Sequence, residues 1–208
     1  MTDRTGSRVA VLISGNGSNL QAILDACADG TIANARVVGV VSNRRKAYGL
    51  VRAEKAGVEQ VYFPLGPFRK AHPGTDRAAY DVALAERVAA LSPDLIVLAG
   101  WMHILSADFL DAVPCPVLNL HPALPGAFPG TGAIARAFEA ARAGKLTHTG
   151  VMVHHVIPEI DAGPVVATAE VPIHADDDLE ALTARMHAVE HTLLVQAVDL
   201  VLNPPQVA

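Results

Sequence analysis

The chain has 208 residues, of which 51% are hydrophobic and 18% are charged, and its formal net charge is −5. This balance excludes an intrinsically disordered chain and is typical of a folded protein with a sizeable core. A net negative charge without a cluster of Lys and Arg is also unlike the basic surface of a nucleic-acid-binding protein.

In the first half of the chain, apolar segments of strand length alternate with segments of helical periodicity. These strand segments show no polar alternation, as expected when helices cover both faces of a parallel sheet. The order predicts an α/β fold with a doubly wound, mainly parallel, twisted sheet that is Rossmann-like in its N-terminal half. The predicted strands are 9–13, 36–41, 61–63 and 94–99, and the predicted helices are 20–28, 47–56 and 76–91.

The second half is less regular. A short strand at 117–120 leads into a loop at 121–131 that is rich in proline and glycine. Residues 150–156 and 165–171 alternate like an antiparallel pair of strands, and helices are expected at 133–143 and 179–202. No linker-like shift in composition divides the chain, so we predict a single domain over residues 1–208 with two halves, about 8–115 and 116–203.

The cysteines and the N-terminal residues indicate in which cellular compartment the protein is expected. Cys27 and Cys115 are far apart and match no metal-ligand spacing, so two ordinary buried thiols in a reducing compartment are expected. Residues 1–7 are polar and lack the apolar stretch of a signal peptide. Every apolar run is shorter than a membrane span requires, so we expect a cytoplasmic protein outside the membrane.

The segment Ser-Gly-Asn-Gly-Ser-Asn at 14–19 lies between the first strand and the first helix. Glycines allow close approach of a ligand, and the N–H groups at the start of a helix bind anions, so Gly17, Ser18 and Asn19 are candidates for binding a phosphate. Leu20 occupies the third glycine position of the dinucleotide fingerprint, which favours a mononucleotide-sized ligand over NAD(P). The alternative is a simple glycine-rich turn with Ser18 capping the helix.

Two polar residues, Asn119 and His121, stand at the C-terminal end of the predicted strand 117–120. Their spacing of two points both side chains to one face, at the end of the sheet where α/β proteins bind ligands. An amide N–H and an imidazole can stabilise a developing oxyanion and move a proton. A structural histidine before Pro122 is the alternative.

Asp161 belongs to the turn sequence Asp-Ala-Gly-Pro at 161–164. A carboxylate next to His121 would raise the pKa of the imidazole and fix its orientation. The spacing along the chain does not bring the two together, so their proximity is a prediction. The alternative is that Asp161 only hydrogen-bonds within its own turn.

The sequence lacks the residue patterns of two other kinds of site, a zinc site and a serine nucleophile. His148, His154 and His155 lack the spacing of a zinc site, and the last two would face opposite sides of a strand. Ser18 does not lie in the G-x-S-x-G elbow of a serine nucleophile. We therefore expect neither a metal ion nor a serine nucleophile.

Four segments together resemble the phosphoribosylglycinamide formyltransferase family, folate-dependent enzymes of purine biosynthesis. They are VLISGNGSNLQAI near the start, LAGWMHIL at 98–105, NLHPALP at 119–125 and DAGPV at 161–165. The resemblance runs from about residue 8 to residue 191, and it is specific because of the order and spacing of these short segments.

The resemblance implies transfer of the formyl group of 10-formyltetrahydrofolate, the co-substrate, to the amine of 5-phosphoribosylglycinamide. Asn119 would contact the formyl oxygen, His121 would act as acid–base catalyst and electrostatic stabiliser, and Asp161 would tune it. The half before residue 116 would bind the phosphoribosyl group, and the later half would carry catalysis and folate contacts. The implied substrate-binding residues are Gly17, Ser18 and Asn19 at the phosphate and Glu190 at the glycinamide.

The resemblance also implies a folate site. The residues implied to contact the folate are Arg77, Met102, His103, Ile104, Leu105, Asn119, Val156, Ile157 and Asp161. Residues 102–105 would line the pterin pocket, and the loop at 156–161 would close over it. His103 replaces the arginine usual in this family, and histidines usual after the loop's Pro-Gly are replaced at 131–133.

Rival functions remain open at this point. A 10-formyltetrahydrofolate hydrolase or an initiator-tRNA formyltransferase would carry an extra domain for which this chain has no room, and the acidic charge disfavours tRNA. A non-catalytic mononucleotide-binding module would leave Asn119, His121 and Asp161 unexplained, and an NAD(P) oxidoreductase lacks its fingerprint. We expect small-molecule substrates, no nucleic-acid or membrane partner, and a monomer or homodimer.

Overall fold

The computed structural model describes residues 6–205. Residues 1–5, which belong to the segment interpreted as lacking a signal peptide, lie outside the described residues. The chain separates into two compact units, one up to Leu118 and the other from Asn119 onward. The single domain expected from the sequence, with its halves meeting at about 115/116, stays a prediction. None of the helices within residues 6–205 has the length and apolar character that crossing a membrane would require.

The first unit is an α/β structure. Its elements are β1 (Ser7–Ile13), α1 (Ser18–Asp29), β2 (Ala35–Ser42), α2 (Tyr48–Lys55), β3 (Gln60–Tyr62), α3 (Leu65–Ala71), α4 (Arg77–Ala89), β4 (Leu95–Leu98) and α5 (Ala107–Ala112). The strands are parallel and lie in the order β3-β2-β1-β4. Strands β1 and β4 are buried over most of their length, as their apolar sequences predict. Helix α4 begins where the side chain of Asp76 accepts a hydrogen bond from the N–H of Ala79 at 2.9 Å.

The second unit contains an antiparallel pair of strands. Its elements are α6 (Ala133–Arg142), β6 (His148–His155), β7 (Val165–Pro172) and α7 (Leu179–Leu202). Strand β5 (Val117–His121) begins in the first unit and ends in the second, where β6 lies between it and β7. Strands β6 and β7 are antiparallel, as predicted, and α7 packs against both.

Most predicted elements are present, with ends that differ by a few residues. Two helices, α3 and α5, were not predicted. The expected buried thiols are also corrected, because Cys27 and Cys115 are unpaired but only half-buried.

Candidate active site

Strand β5 ends in the two polar residues that the sequence singles out. Asn119 and His121 are two positions apart on an extended strand, so their side chains project from the same face. Asn119 is half-buried, whereas His121 is only 4% exposed. A buried imidazole needs hydrogen-bonding partners, and the structure supplies one for each ring nitrogen.

Asp161 lies beside both residues. Its Oδ2 atom is 3.3 Å from Nδ1 of His121, and its Oδ1 atom accepts a hydrogen bond from Nδ2 of Asn119 at 3.2 Å. The proximity of Asp161 to His121 predicted from the sequence is therefore present. The backbone of Asp161 is in the left-handed region, with φ of +53°, and the N–H of Gly130 donates to Oδ2 at 2.8 Å.

The other ring nitrogen of His121 faces a loop. Nε2 is 3.1 Å from the carbonyl oxygen of Phe128. A carbonyl oxygen only accepts, so Nε2 carries the hydrogen in this contact. The carboxylate at Nδ1 is also an acceptor. A neutral ring has a single N–H and completes one of these hydrogen bonds, whereas an imidazolium completes both.

Burial lowers the pKa of His121 below its ordinary value. Asp161 raises this pKa, as the sequence argument expects, and the carbonyl groups of Phe128 and Ala127 raise it too, but burial has the larger effect. The pKa is therefore lowered overall, and the ring is mainly neutral at neutral pH. Burial acts to raise the pKa of Asp161, but the Gly130 N–H and the neighbouring His121 act to lower it, and the pKa is lowered overall, so the carboxyl group is ionised.

His154 is a fourth member of this cluster, and the sequence argument missed it. Its Nδ1 atom lies 2.9 Å from the carbonyl oxygen of His155, which assigns the hydrogen of the neutral ring to Nδ1. The lone pair on Nε2 then accepts a hydrogen bond from Nδ2 of Asn119 at 3.2 Å. Nε2 is also 3.7 Å from Oδ1 of Asp161, and His154 is 2% exposed.

Strand alternation did not reveal His154 because β6 is buried without interruption from Thr149 to His154. Both faces of this strand are covered, so buried and exposed residues do not alternate along it. The pairing of β6 with β7 also shifts in register between Val153 and His154. Gly163 permits the close packing here, since a Cβ at this position would overlap the carbonyl oxygen of His155. The glycine of the Asp-Ala-Gly-Pro turn is therefore the sequence feature that could have indicated close packing of this turn against the end of β6.

The predicted phosphate loop lies between β1 and α1 in the first unit. Helix α1 starts at Ser18 and is preceded by Gly17, which has φ of +75° and provides no side-chain cap. The alternative in which Ser18 caps the helix is therefore wrong. A Cβ on Gly17 would lie 2.7 Å from Cα of Gly49 on helix α2, so the loop and the helix pack at a distance that only glycine allows. Asn19 is 9% exposed.

Helix α2 also holds this loop through Arg52. The guanidinium donates to the backbone oxygen of Asn16 and to its Oδ1 atom, each at 3.0 Å, and to Oε1 of Gln21 at 3.1 Å. The same guanidinium lies 4.9 Å from the ring centroid of Tyr48. The backbone of the loop is thus fixed from outside, leaving the N–H groups at the start of α1 to face a ligand.

The segment implied to bind the pterin adjoins this loop within the first unit. The N–H of Met102 donates to Oγ of Ser14 at 2.9 Å. Met102 and Ile104 are 53% and 62% exposed, whereas Leu105 is 4% exposed and can offer a ligand only its backbone. Arg77 donates to the carbonyl oxygen of Ile104 at 2.7 Å.

His103 lies half-buried in the same segment, edge-on to the rings of Trp101 and Tyr80. Burial lowers its pKa, and the nearby Arg77 lowers it further, so this side chain is mainly neutral at neutral pH. Its buried Nδ1 atom has no hydrogen-bond partner among the described residues.

The last sequence-predicted residues lie in the second unit. Val156 and Ile157 are half-buried and directly follow β6, and Glu190 is 4% exposed on α7. The structure thus brings Asn119, His121 and Asp161 together in the second unit. In the first unit it places the phosphate loop next to residues 100–102.

Comparison with known proteins identifies the family. Residues 7–198 match the family described as formyl transferase. The chain is 51% identical over 200 residues to a protein of Schizosaccharomyces pombe named phosphoribosylglycinamide formyltransferase, covering 94% of this chain and 97% of that one. It is 47% identical over 199 residues to the protein of the same name from Dictyostelium discoideum, covering 92% of this chain and 96% of that one.

The fold agrees with these matches. The crystal structure of glycinamide ribonucleotide transformylase 1 from Symbiobacterium toebii is similar, with a TM-score of 0.87 and 41% identity over 98% of this chain and 91% of that one. The predicted fold class, a mainly parallel α/β sheet with an antiparallel strand pair in the later half, is confirmed, as is the predicted enzyme class. The chain belongs to the formyl transferase family.

Proposed function

We propose that this chain is a phosphoribosylglycinamide formyltransferase, which transfers the formyl group of 10-formyltetrahydrofolate to the amine of 5-phosphoribosylglycinamide in purine biosynthesis. The names of its relatives support this reaction. The observation that carries the proposal is the contact of Asp161 with both Asn119 and His121. A chain that only bound a mononucleotide would have no use for this cluster.

The reaction begins when the amine nitrogen of the substrate attacks the formyl carbon. A C–N bond forms, and the formyl oxygen becomes negative in a tetrahedral intermediate. A hydrogen bond from Asn119 and the positive charge of protonated His121 stabilise this oxygen, and one such hydrogen-bond donor contributes about 3–4 kcal/mol to related acyl transfers. Collapse of the intermediate breaks the bond between the formyl carbon and the folate nitrogen, which leaves with one proton.

The lowered pKa of His121 suits the proton transfer. A neutral ring accepts the proton that the amine loses, and the imidazolium then stabilises the negative oxygen. The ionised Asp161 stabilises this imidazolium from 3.3 Å, and the proton passes on to the leaving folate nitrogen. Both N–H groups of Asn119 face protein acceptors at 3.2 Å, so the formyl oxygen replaces one of these long contacts.

The binding residues keep the roles that the family resemblance implies. Gly17, Ser18 and Asn19 hold the phosphate, and Glu190 contacts the glycinamide. The folate contacts are Arg77, Met102, His103, Ile104, Leu105, Asn119, Val156, Ile157 and Asp161. The exposed side chains of Met102 and Ile104, backed by Arg77, support this assignment.

We expect small-molecule substrates, a cytoplasmic location and a monomer or homodimer. Cys27 and Cys115 are unpaired, and burial raises the pKa of each thiol to about 11. Both thiols therefore stay protonated at neutral pH, which is compatible with a reducing compartment.

The test is an assay of purified chain with 10-formyltetrahydrofolate, in the presence and absence of phosphoribosylglycinamide. We expect tetrahydrofolate to appear only with the amine, together with equimolar formylated product. Equal turnover without the amine would make the chain a hydrolase. Binding of the phosphorylated amine without turnover would reduce it to a binding module.

A further inference from the structure

Arg136, on helix α6, holds the loop that contacts both His121 and Asp161. Its Nη2 atom donates to the carbonyl oxygens of Phe128 and Pro129 at 2.7 Å and 2.6 Å. The guanidinium also lies 5.8 Å from the ring centroid of Phe128. Arg136 itself is exposed, so these contacts are made at the outer side of the loop.

The Phe128 carbonyl is shared between Arg136 and the candidate catalytic residues. It accepts from Arg136 at 2.7 Å and from Nε2 of His121 at 3.1 Å. Two residues later, the N–H of Gly130 donates to Oδ2 of Asp161 at 2.8 Å. The backbone of residues 128–130 therefore positions both side chains: the Phe128 carbonyl accepts from the imidazole, and the Gly130 N–H donates to the carboxylate.

This backbone needs an outside support. Phe128 has φ of +47°, a left-handed conformation that residues other than glycine rarely adopt. Pro129 has no N–H, so its carbonyl group is its only backbone hydrogen-bonding group. The planar guanidinium of arginine is suited to binding neighbouring oxygens in a fixed geometry. Arg136 supplies that support to the two adjacent carbonyls.

We propose that Arg136 is a positioning residue for formyl transfer, acting through Phe128 on His121 and through Gly130 on Asp161. The proposal rests on the proposed function. Arg136 does not contact the reacting atoms. It keeps the Phe128 carbonyl against Nε2, which fixes the orientation of the ring and the nitrogen that bears the hydrogen, and it keeps the Gly130 N–H against the carboxylate.

The kinetic test compares Arg136→Met and Arg136→Lys with Arg142→Met, an exposed arginine on the same helix. We expect Arg136→Met to lower kcat about tenfold while KM for both substrates stays within about twofold, as for a residue that acts only on the chemical step. Arg136→Lys is expected to be intermediate, because an ammonium group can donate to the same carbonyls but is carried on a more flexible side chain. Arg142→Met is expected to match the wild type.

The spectroscopic test needs no substrate. In protein labelled with ¹⁵N-histidine, the Nε2–H of His121 gives a hydrogen-bonded proton signal, which is assigned by its loss in His121→Asn. We expect this signal to be lost or to exchange with water in Arg136→Met and to persist in Arg142→Met. A wild-type chain that shows the Arg136-dependent signal but transfers no formyl group would reject the proposed function alone.

The proposal is overturned if the Nε2–H signal is unchanged in Arg136→Met. Wild-type kcat in that variant, or an equal loss in Arg142→Met, would also overturn it. A rise in KM at unchanged kcat would make Arg136 a substrate contact instead of a positioning residue. Thermal unfolding of each variant checks that a loss of activity is not caused by unfolding. If Arg136→Met does not fold, Arg136→Lys, which keeps the positive charge, is compared with the wild type instead.

Discussion

The Nε2 atom of His154 accepts a hydrogen bond from Nδ2 of Asn119 at 3.2 Å, and this contact determines which way the amide points. Oδ1 of Asp161 accepts from the same nitrogen. The reverse amide orientation would place an oxygen against two acceptors, the carboxylate and the ring lone pair. His154 therefore keeps the N–H side of Asn119 within the cluster that contains His121.

From this contact we expect His154→Phe to lower kcat about tenfold, because Asn119 loses an acceptor and its amide is no longer oriented. His154→Gln is expected to retain more activity, since its amide oxygen can accept from Nδ2. The neighbouring His155→Phe serves as control. Steady-state kinetics with both substrates measures the effect, and equal activity in the three variants would contradict the role of His154.

Replacing Asn119 or His121, which stabilise the negative formyl oxygen in the proposed mechanism, is expected to have a larger effect. Asn119→Ala and His121→Ala should each lower kcat at least about a hundredfold, in line with the loss of a donor to an oxyanion. The matched control is His148→Ala, an exposed histidine at the start of β6. The fold is checked by thermal unfolding, and near-wild-type turnover in either active-site variant would remove the proposed mechanism.

The phosphate loop provides a pair of glycines for comparison. Gly17→Ala places a Cβ 2.7 Å from Cα of Gly49 at a residue with φ of +75°, whereas Gly15 has no atom within 4 Å of a built Cβ. We expect Gly17→Ala to raise KM for phosphoribosylglycinamide several-fold and to lower the free energy of unfolding by roughly 1–3 kcal/mol. Gly15→Ala should change neither quantity. Similar KM values for the two variants would argue against a phosphate site at residues 17–19.

The lowered pKa of His121 predicts how stability depends on pH. Below the ordinary histidine pKa of about 6.5, the unfolded chain binds this proton more readily than the folded chain. The free energy of unfolding should therefore decrease as the pH falls from about 6.5 through the folded-state pKa. Urea unfolding at about pH 7.5 and about pH 5.5 measures this decrease, which should be smaller in His121→Gln.

The pKa of His103 is also lowered, by burial and by Arg77. Protonation of His103 therefore also decreases the free energy of unfolding as the pH falls. His103→Gln therefore separates the two contributions, and a decrease that remains in His121→Gln is expected to shrink further in the double variant. The same pH dependence in the wild type and in His121→Gln would show that His121 is not the group responsible.

The sequence was most informative where burial is uniform. The apolar strands β1, β2 and β4 and the long helix α7 were predicted within about two residues, because covered strands and long helices carry strong patterns. Helix α3 was missed because it has no buried residue and includes Gly66 and Pro67, so it shows no apolar face. Helix α5 has only six residues, too few for a periodic pattern.

At the site, local geometry was predictable and tertiary contacts were only partly so. The spacing of Asn119 and His121 gave their common face. The contact of His121 with Asp161 required a hypothesis, which the structure bears out. His154 was missed because β6 is buried on both faces, so no alternation singles it out, and Arg136 was missed because it acts through the carbonyls of an irregular loop.

The left-handed backbone of Asp161 limits which replacements can be interpreted. Asparagine and aspartate occupy this region more readily than other residues with side chains, so Asp161→Asn changes the charge and little else in the main chain. Alanine or glutamate at the same position would also favour a different path for the turn. Asp161→Asn is therefore the substitution that tests the carboxylate itself. Alanine or glutamate at this position would change the backbone conformation as well as the side chain, so the two effects could not be separated.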